Sequence, residues 1–153
     1  MQLKIVSGGQ TGVDRAALDA AIAAGLPHGG WCPRERRSED GMIPVCYRLR
    51  ETSAKAYHVR TSRNVRDSEG TLVLVRDRVQ GGTRYTIRCA ENTGRPFLVV
   101  RLSGHHDISD VVAWVQRNTV TVLNIAGPRE SSEPGIYEEA LQWLSQLFQL
   151  LSR

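Results

Sequence analysis

Ser7-Gly8-Gly9-Gln10-Thr11-Gly12-Val13-Asp14 separates a short apolar run, Leu3 to Val6, from an alanine-rich amphipathic segment, and reads as a strand end, a glycine turn and a helix start. Glycine lets the chain turn sharply and approach a ligand closely, and the first N–H groups of the following helix lack intrahelical partners. Such a turn holds an anion, with phosphate the expected occupant. Thr11 is placed to be the N-cap, and Asp14, three residues on, is either the capping-box acid or a ligand contact. The spacing matches neither the G-x-G-x-x-G dinucleotide fingerprint nor the Gly-Lys-Ser/Thr ending of a P-loop.

Outward from this turn, Val13, Ala16, Ala17, Ala20, Ala21 and Ala24 recur at helical spacing, and Gly25 stands where a helix ends. This thin face suits close packing on a sheet. Gly29 to Pro33 is a candidate second strand, followed by a charged connection, Arg34 to Gly41, with no periodicity. Loops of that kind are often lids, so Arg34, Arg36 or Arg37 is expected to fold back over the anion at the first turn. Thr61 to Ser68 fits a two-turn helix ending at Gly70, and Thr71 to Val75 is a continuously apolar strand of the sort buried on both faces. Gln80-Gly81-Gly82-Thr83 repeats the opening design, with Thr83 as cap of a helix that ends near Gly94.

Phe97 to Val100 is a further strand, Asp107 opens a helix with Ile108, Val111, Val112 and Val115 inward, and Val120 to Ile125 is the last strand. A third turn, Gly127-Pro128-Arg129-Glu130-Ser131, leads to a long helix with Pro134 in its first turn and a stripe of Tyr137, Ala140, Leu141, Leu144, Leu147, Phe148 and Leu151. A stripe this wide also suits a homo-oligomer. Strands alternating with helices imply an α/β fold: a mostly parallel sheet of about five strands with helices on both faces. In that architecture the three glycine turns share the carboxyl rim of the sheet and form one pocket.

At 153 residues, 41% hydrophobic and 24% charged, the chain is long enough for one core, and a single domain spanning 1–153 is expected. The net charge of +4 suits an anionic partner, but the arginines are scattered, which argues against nucleic acid. Neither an apolar stretch long enough for a membrane nor a secretory leader is present, so a cytoplasmic protein is expected. Cys32, Cys46 and Cys89 lack C-x-x-C spacing, and His105-His106 have no acidic or cysteine partner nearby, so no metal site is assigned.

These residues resemble the proteins named as molybdenum cofactor carriers, within the Rossmann-like superfamily that includes the lysine decarboxylase-like phosphoribohydrolases. The motifs that carry the resemblance are Ser7 to Asp14, Gly30-Trp31-Cys32-Pro33 with Arg36 to Gly41, Asn64-Val65-Arg66-Asp67, Gly81-Gly82-Thr83 and Gly127 to Ser131. The resemblance implies a three-layer Rossmann-like fold, an oligomer (a dimer or tetramer) and a pocket for a phosphorylated pterin-derived ligand such as molybdopterin, with Asn64 among its residues. The Pro-Gly-Gly-x-Gly-Thr turn of the phosphoribohydrolases is missing around Pro134 to Glu139, although a glutamate survives there.

The expected function is therefore binding: Gly8, Gly9, Gln10, Thr11, Gly12, Asp14, Gly81, Gly82, Thr83, Gly127, Pro128, Glu130 and Ser131 hold a phosphorylated pterin or nucleotide-like anion, with Arg34, Arg36, Arg37 and Arg129 supplying charge. That role needs no catalytic group. The alternative is a nucleoside 5'-monophosphate phosphoribohydrolase, with Glu130, Glu138 or Asp14 as its carboxylate. A nucleotide-signal sensor without a fused effector domain is the third reading.

Overall fold

In the computed structural model, which describes residues 2–152, the first half of the chain forms β1 (Lys4–Val6), α1 (Val13–Ala23), β2 (His28–Gly29), β3 (Trp31–Cys32), β4 (Arg37–Ser38), β5 (Gly41–Met42) and β6 (Arg50–Glu51). There follow α2 (Tyr57–Arg66), β7 (Gly70–Val75), α3 (Gly81–Thr93), β8 (Phe97–Arg101), α4 (Ile108–Arg117), β9 (Val122–Ala126) and α5 (Ile136–Leu151). Five strands make one sheet in the order β2-β1-β9-β7-β8, and every pairing in it is parallel.

That order explains which helix lies on which face. The chain passes leftward from β1 to β2 through α1, and leftward again from β8 to β9 through α4; it passes rightward from β2 to β7 through α2, and from β7 to β8 through α3. Right-handed crossovers put the leftward helices on one face and the rightward ones on the other. The packing agrees: α1 and α4 lie with α5, and α2 lies with α3. The direction of winding reverses between β1 and β7, with β9 inserted there, and a crevice opens at the carboxyl ends of strands around such a reversal.

The two faces differ in chemistry because successive residues of a strand point to opposite sides. Leu72, Leu74, Leu123 and Ile125 join the main core with α1, α4 and α5. Ala16, Ala17, Ala20 and Ala21 are buried there, and their small side chains let α5 pack closely along α1. The alanine face therefore serves a helix as well as the sheet. The α5 stripe is also used internally: Ala140, Leu144, Leu147 and Phe148 are buried, while Tyr137, Leu141 and Leu151 pack at the margin. On the opposite face the alternate positions include the buried polar pair Thr71 and Asn124, whose Nδ2 donates to Thr71 Oγ1 at 3.3 Å.

Several element ends differ from the sequence expectation for local reasons. α1 is preceded by Gly12, not capped by Thr11, and α3 begins at Gly81 after Gln80, so Thr83 lies inside its first turn, buried. α5 starts at Ile136, two residues after Pro134, with Gly135 in the left-handed region before it. α2 starts at Tyr57 and ends at Arg66, because Gly70 is already the first residue of β7. The second strand is split: β2 joins the main sheet, whereas β3 pairs with β6. The long connection is likewise ordered, through a β4–β5 hairpin and three hydrogen bonds from Arg36, to the carbonyls of Ile43 at 2.9 Å, Pro44 at 2.7 Å and Tyr47 at 2.8 Å.

Gly12 joins the first turn to the last. Val13 N–H donates to Pro128 O at 3.2 Å and Glu130 N–H donates to Thr11 Oγ1 at 3.1 Å. A Cβ on Gly12, whose φ is +80°, would stand 2.3 Å from Pro128 O. Gly12→Ala is expected to cost about 3 kcal/mol, from backbone strain and separation of the two turns, measured as a lower urea midpoint. An unchanged midpoint would show that the turns do not depend on this contact.

Candidate functional site

The crevice at the winding reversal is a cleft of about 490 Å³. Its rim is built by the turns after β1, β7 and β9, and its outer wall by one face of α2 and the first turn of α3. On α2, Tyr57, Arg60, Thr61 and Asn64 recur at the 3, 4, 7 spacing that puts them on one side, here the side toward the cleft. On α3, the N–H groups of Thr83 and Arg84 both turn back to Gln80 O, at 3.1 and 3.4 Å, whereas those of Gly81 and Gly82 make no such bond. A helix N-terminus with free N–H groups favours negative charge.

At the floor, Asp14 and Arg60 face one another with Oδ2 and Nη2 3.8 Å apart, both side chains nearly out of contact with solvent. Asp14 does act as a local acceptor, but from Gln10 N–H at 3.2 Å and not from Thr11. Burial pushes its carboxyl up, while Arg60 and the Gln10 hydrogen bond pull it down. Burial also lowers the Arg60 guanidinium, against the pull of Asp14. Gly8 makes room for this arginine: a Cβ there would be 2.3 Å from Arg60 Nε. Arg60 Nε has no hydrogen-bond partner among the described residues, and neither has Nε2 of Gln10.

Positive charge gathers around one aromatic ring. The guanidinium carbons of Arg37, Arg129 and Arg60 lie 4.7, 5.3 and 5.4 Å from the centre of the Tyr57 ring, within cation–π range. Tyr57, Arg60 and Arg129 line the cleft, as does Arg78.

The structure gathers Gly8, Gln10, Asp14, Asn64, Gly81, Gly82, Thr83, Gly127, Pro128 and Arg129 around this cleft. Asn64 is committed locally, accepting from Trp31 N–H at 2.7 Å and donating to Trp31 O at 3.0 Å. The other expected residues lie elsewhere. Gly9 packs under Leu49 and Ile43. Thr11, Gly12, Glu130, Ser131 and Glu138 line a separate shallow concavity of about 720 Å³, with Asp19, Glu39 and Asp40. Glu130 has a structural task there, accepting from Gly135 N–H at 2.7 Å and Tyr137 N–H at 3.0 Å at the start of α5.

The connection from Arg34 to Gly41 does fold back to the first turn, but through its acids. Glu39 N–H donates to Gln10 Oε1 at 2.9 Å, and the Glu39 carboxylate accepts from Thr11 and Ser131. Asp40 pairs with Arg15 at 2.6 Å, and the hydrogen bonds from Arg15 hold its carboxyl at about 2. Arg34 is exposed, Arg36 is tied to its own loop, and Arg37 meets the cleft only through Tyr57. The arginines at the cleft are Arg60, Arg78 and Arg129, of which only Arg129 was expected. Among the described residues no cluster of His, Cys, Asp and Glu is arranged to hold a metal ion; Cys32 is buried beside Leu18, Ile43 and Tyr47, and burial raises its thiol.

Arg60→Leu removes the charge that opposes the rise of Asp14. The carboxyl proton is then held more tightly in the folded chain than in the unfolded one, so the stabilisation it brings is full below the unfolded carboxylate range and is lost as pH rises through the raised value. We expect R60L to cost about 3 kcal/mol near neutral pH, less in mild acid, as read from urea midpoints at the two pH values. Asp14→Asn in the same background is expected to flatten the difference. A loss independent of pH would mean that Arg60 acts through packing alone.

No curated protein matches the chain. A solved structure from Syntrophus aciditrophicus SB, named "Putative molybdenum carrier protein", superposes with a TM-score of 0.89 at 41% identity, over 96% of this chain and 94% of that one. The family model of the circularly permutated YpsA SLOG proteins matches residues 5–148, from β1 through almost all of α5. Every residue that lines the cleft falls inside that match, and the chain belongs to the circularly permutated YpsA SLOG family.

Proposed function

We propose that the chain is a carrier that holds a phosphorylated heterocycle in the β1–β7–β9 cleft, with molybdenum cofactor as its cargo. The observation that carries this reading is Arg60, a guanidinium drawn out of water whose Nε has no partner among the described residues and whose paired carboxylate is 3.8 Å away. A charge left in that state at a cleft floor is explained by an acceptor supplied from outside. The free Gly81 and Gly82 N–H groups suit a phosphate, and Arg78 and Arg129 suit its charge or the oxidised head of the metal. The 41% identical structure named as a molybdenum carrier supports the choice of cargo. Holding a cargo requires shape, charge and exclusion of water, and no proton-transfer group.

A second reading has one observation in its favour. Asp14 is a carboxylate at the cleft floor whose carboxyl burial raises, as a general acid or base for N-glycosidic cleavage would need. Glu130 and Glu138 do not supply that group, since both lie at the other concavity.

Anaerobic mixing with molybdopterin should give micromolar binding and slow its oxidation in air, and Arg129→Ala should weaken binding about tenfold. Failure of the unaltered protein to bind the cofactor at those concentrations overturns the carrier reading. Incubation with AMP, GMP and CMP should release no free base; release that depends on Asp14 would establish the hydrolase instead.

A further inference from the structure

Resting on the reading of the cleft as a site for a phosphorylated heterocycle, we propose that its floor reads the amide edge of a 2-amino-4-oxopyrimidine ring, as found in guanine and in pterins. Asp14 accepts the ring's N–H groups, while Arg60 and Gln10 donate to its carbonyl oxygen.

The argument is a count of donors and acceptors. Gln10 is only 5% exposed and lines the cleft. Its Oε1 accepts from Thr11 N–H at 3.1 Å and from Glu39 N–H at 2.9 Å, which fixes the orientation of the amide. Nε2 is therefore a donor, and it is buried without a partner. Arg60 Nε is a second buried donor without a partner, held beside Gly8. Arginine and the amide nitrogen of glutamine can only donate. Both contacts of the Asp14 carboxylate, with Gln10 N–H and Arg60 Nη2, fall on Oδ2, which leaves Oδ1 as an acceptor. The residues lining the cleft thus carry two unpartnered donors, Arg60 Nε and Gln10 Nε2, and one free carboxylate oxygen, Asp14 Oδ1.

A phosphate is a poor occupant of this floor, because its oxygens would meet the Asp14 carboxylate. It belongs at the start of α3, where the Gly81 and Gly82 N–H groups are free and no carboxylate is among the helix's first residues. A ring that shows a carbonyl, a ring N–H and an exocyclic amino group in sequence matches the floor group by group. Adenine turns a lone pair toward the carboxylate where an N–H is wanted. Hypoxanthine keeps the carbonyl and N–H but lacks the amino group. A cleft of about 490 Å³ falls in the range that takes one heterocycle with a phosphate.

Titration calorimetry of the full chain with GMP, IMP and AMP tests the ring edge at constant phosphate, and fluorescence titration with pterin against lumazine tests it with no phosphate at all. GMP should bind about tenfold or more tighter than IMP or AMP, and pterin tighter than lumazine, the discrimination expected of one hydrogen bond from the amino group to a charged acceptor. Asp14→Asn should weaken GMP more than IMP and reduce the GMP preference over IMP to within about threefold. If that variant does not fold, the two ligand series on the unaltered chain decide the matter. Equal binding of GMP, IMP and AMP, with pterin no better than lumazine, would overturn the edge reading and leave the phosphorylated-ligand reading standing. Pterin preferred over lumazine, with GMP binding no tighter than pterin, would do the reverse, and no binding by any of the five removes both.

Discussion

The docking of the first glycine turn onto the last one is the constraint on which the remainder of the site depends. β1 and β9 are neighbours in the sheet although they are its first and last strands in sequence, so their carboxyl ends emerge side by side. Val13 N–H and Thr11 Oγ1 then bind the backbone of Pro128 and Glu130 across the gap, and Gly12 is the residue small enough to lie under Pro128 O. Glu39 adds a third strap, reaching Thr11 and Ser131 together, where hydrogen bonds from both overcome the effect of burial and hold its carboxyl low. With the Thr11 side engaged in this lock, Gln10 and Asp14 are the side chains of the first turn that line the cleft.

The sheet supports this arrangement by being unequal on its two faces. One face is closed by α1, α4 and α5 over leucine, isoleucine and alanine, where burial of each large side chain contributes about 1.5 to 3 kcal/mol. The other face, under α2 and α3, carries the buried Thr71 and Asn124, and Thr83 and Thr86 are buried on α3. The apolar side supplies the stability, so the polar side is free to end in an open crevice. Arg76, just beyond β7, ties the strand end to the start of α5 through Glu133 at 3.1 Å and Glu139 at 2.9 Å. That contact fixes the outer edge of the same rim.

Much of this was legible in the sequence because it rests on local periodicity. The buried run Thr71 to Val75, the alanine face of α1 and the stripe of α5 each announce themselves by spacing, and three glycine turns between strand and helix place a cleft at the carboxyl rim. The site's key cation was not legible in the same way. Arg60 sits on a helix whose inward face is Tyr57, Arg60, Thr61 and Asn64, a polar stripe that a search for apolar periodicity passes over, and starting that helix at Thr61 left Arg60 in a loop. The polar 3, 4, 7 repeat was the signal available. The loop arginines misled for a different reason: Arg36 is used by backbone carbonyls of its own loop, a fold-back of the chain that spacing does not reveal.

Arg60 also decides how the cleft is to be understood energetically. Taking a guanidinium out of water costs several kcal/mol, and a carboxylate recovers this only with close, well-directed hydrogen bonds. Asp14 at 3.8 Å does not provide them, and the bonds Arg60 makes on Nη1, to Tyr57 O at 3.1 Å and to Thr61, leave Nε empty. An ion pair kept only for stability is exchanged at little loss when both partners together become apolar side chains of similar volume. The arginine, which Gly8 makes room for, and the Gln10 amide each keep a buried donor unpaired among the described residues, and such donors call for an explanation beyond stability.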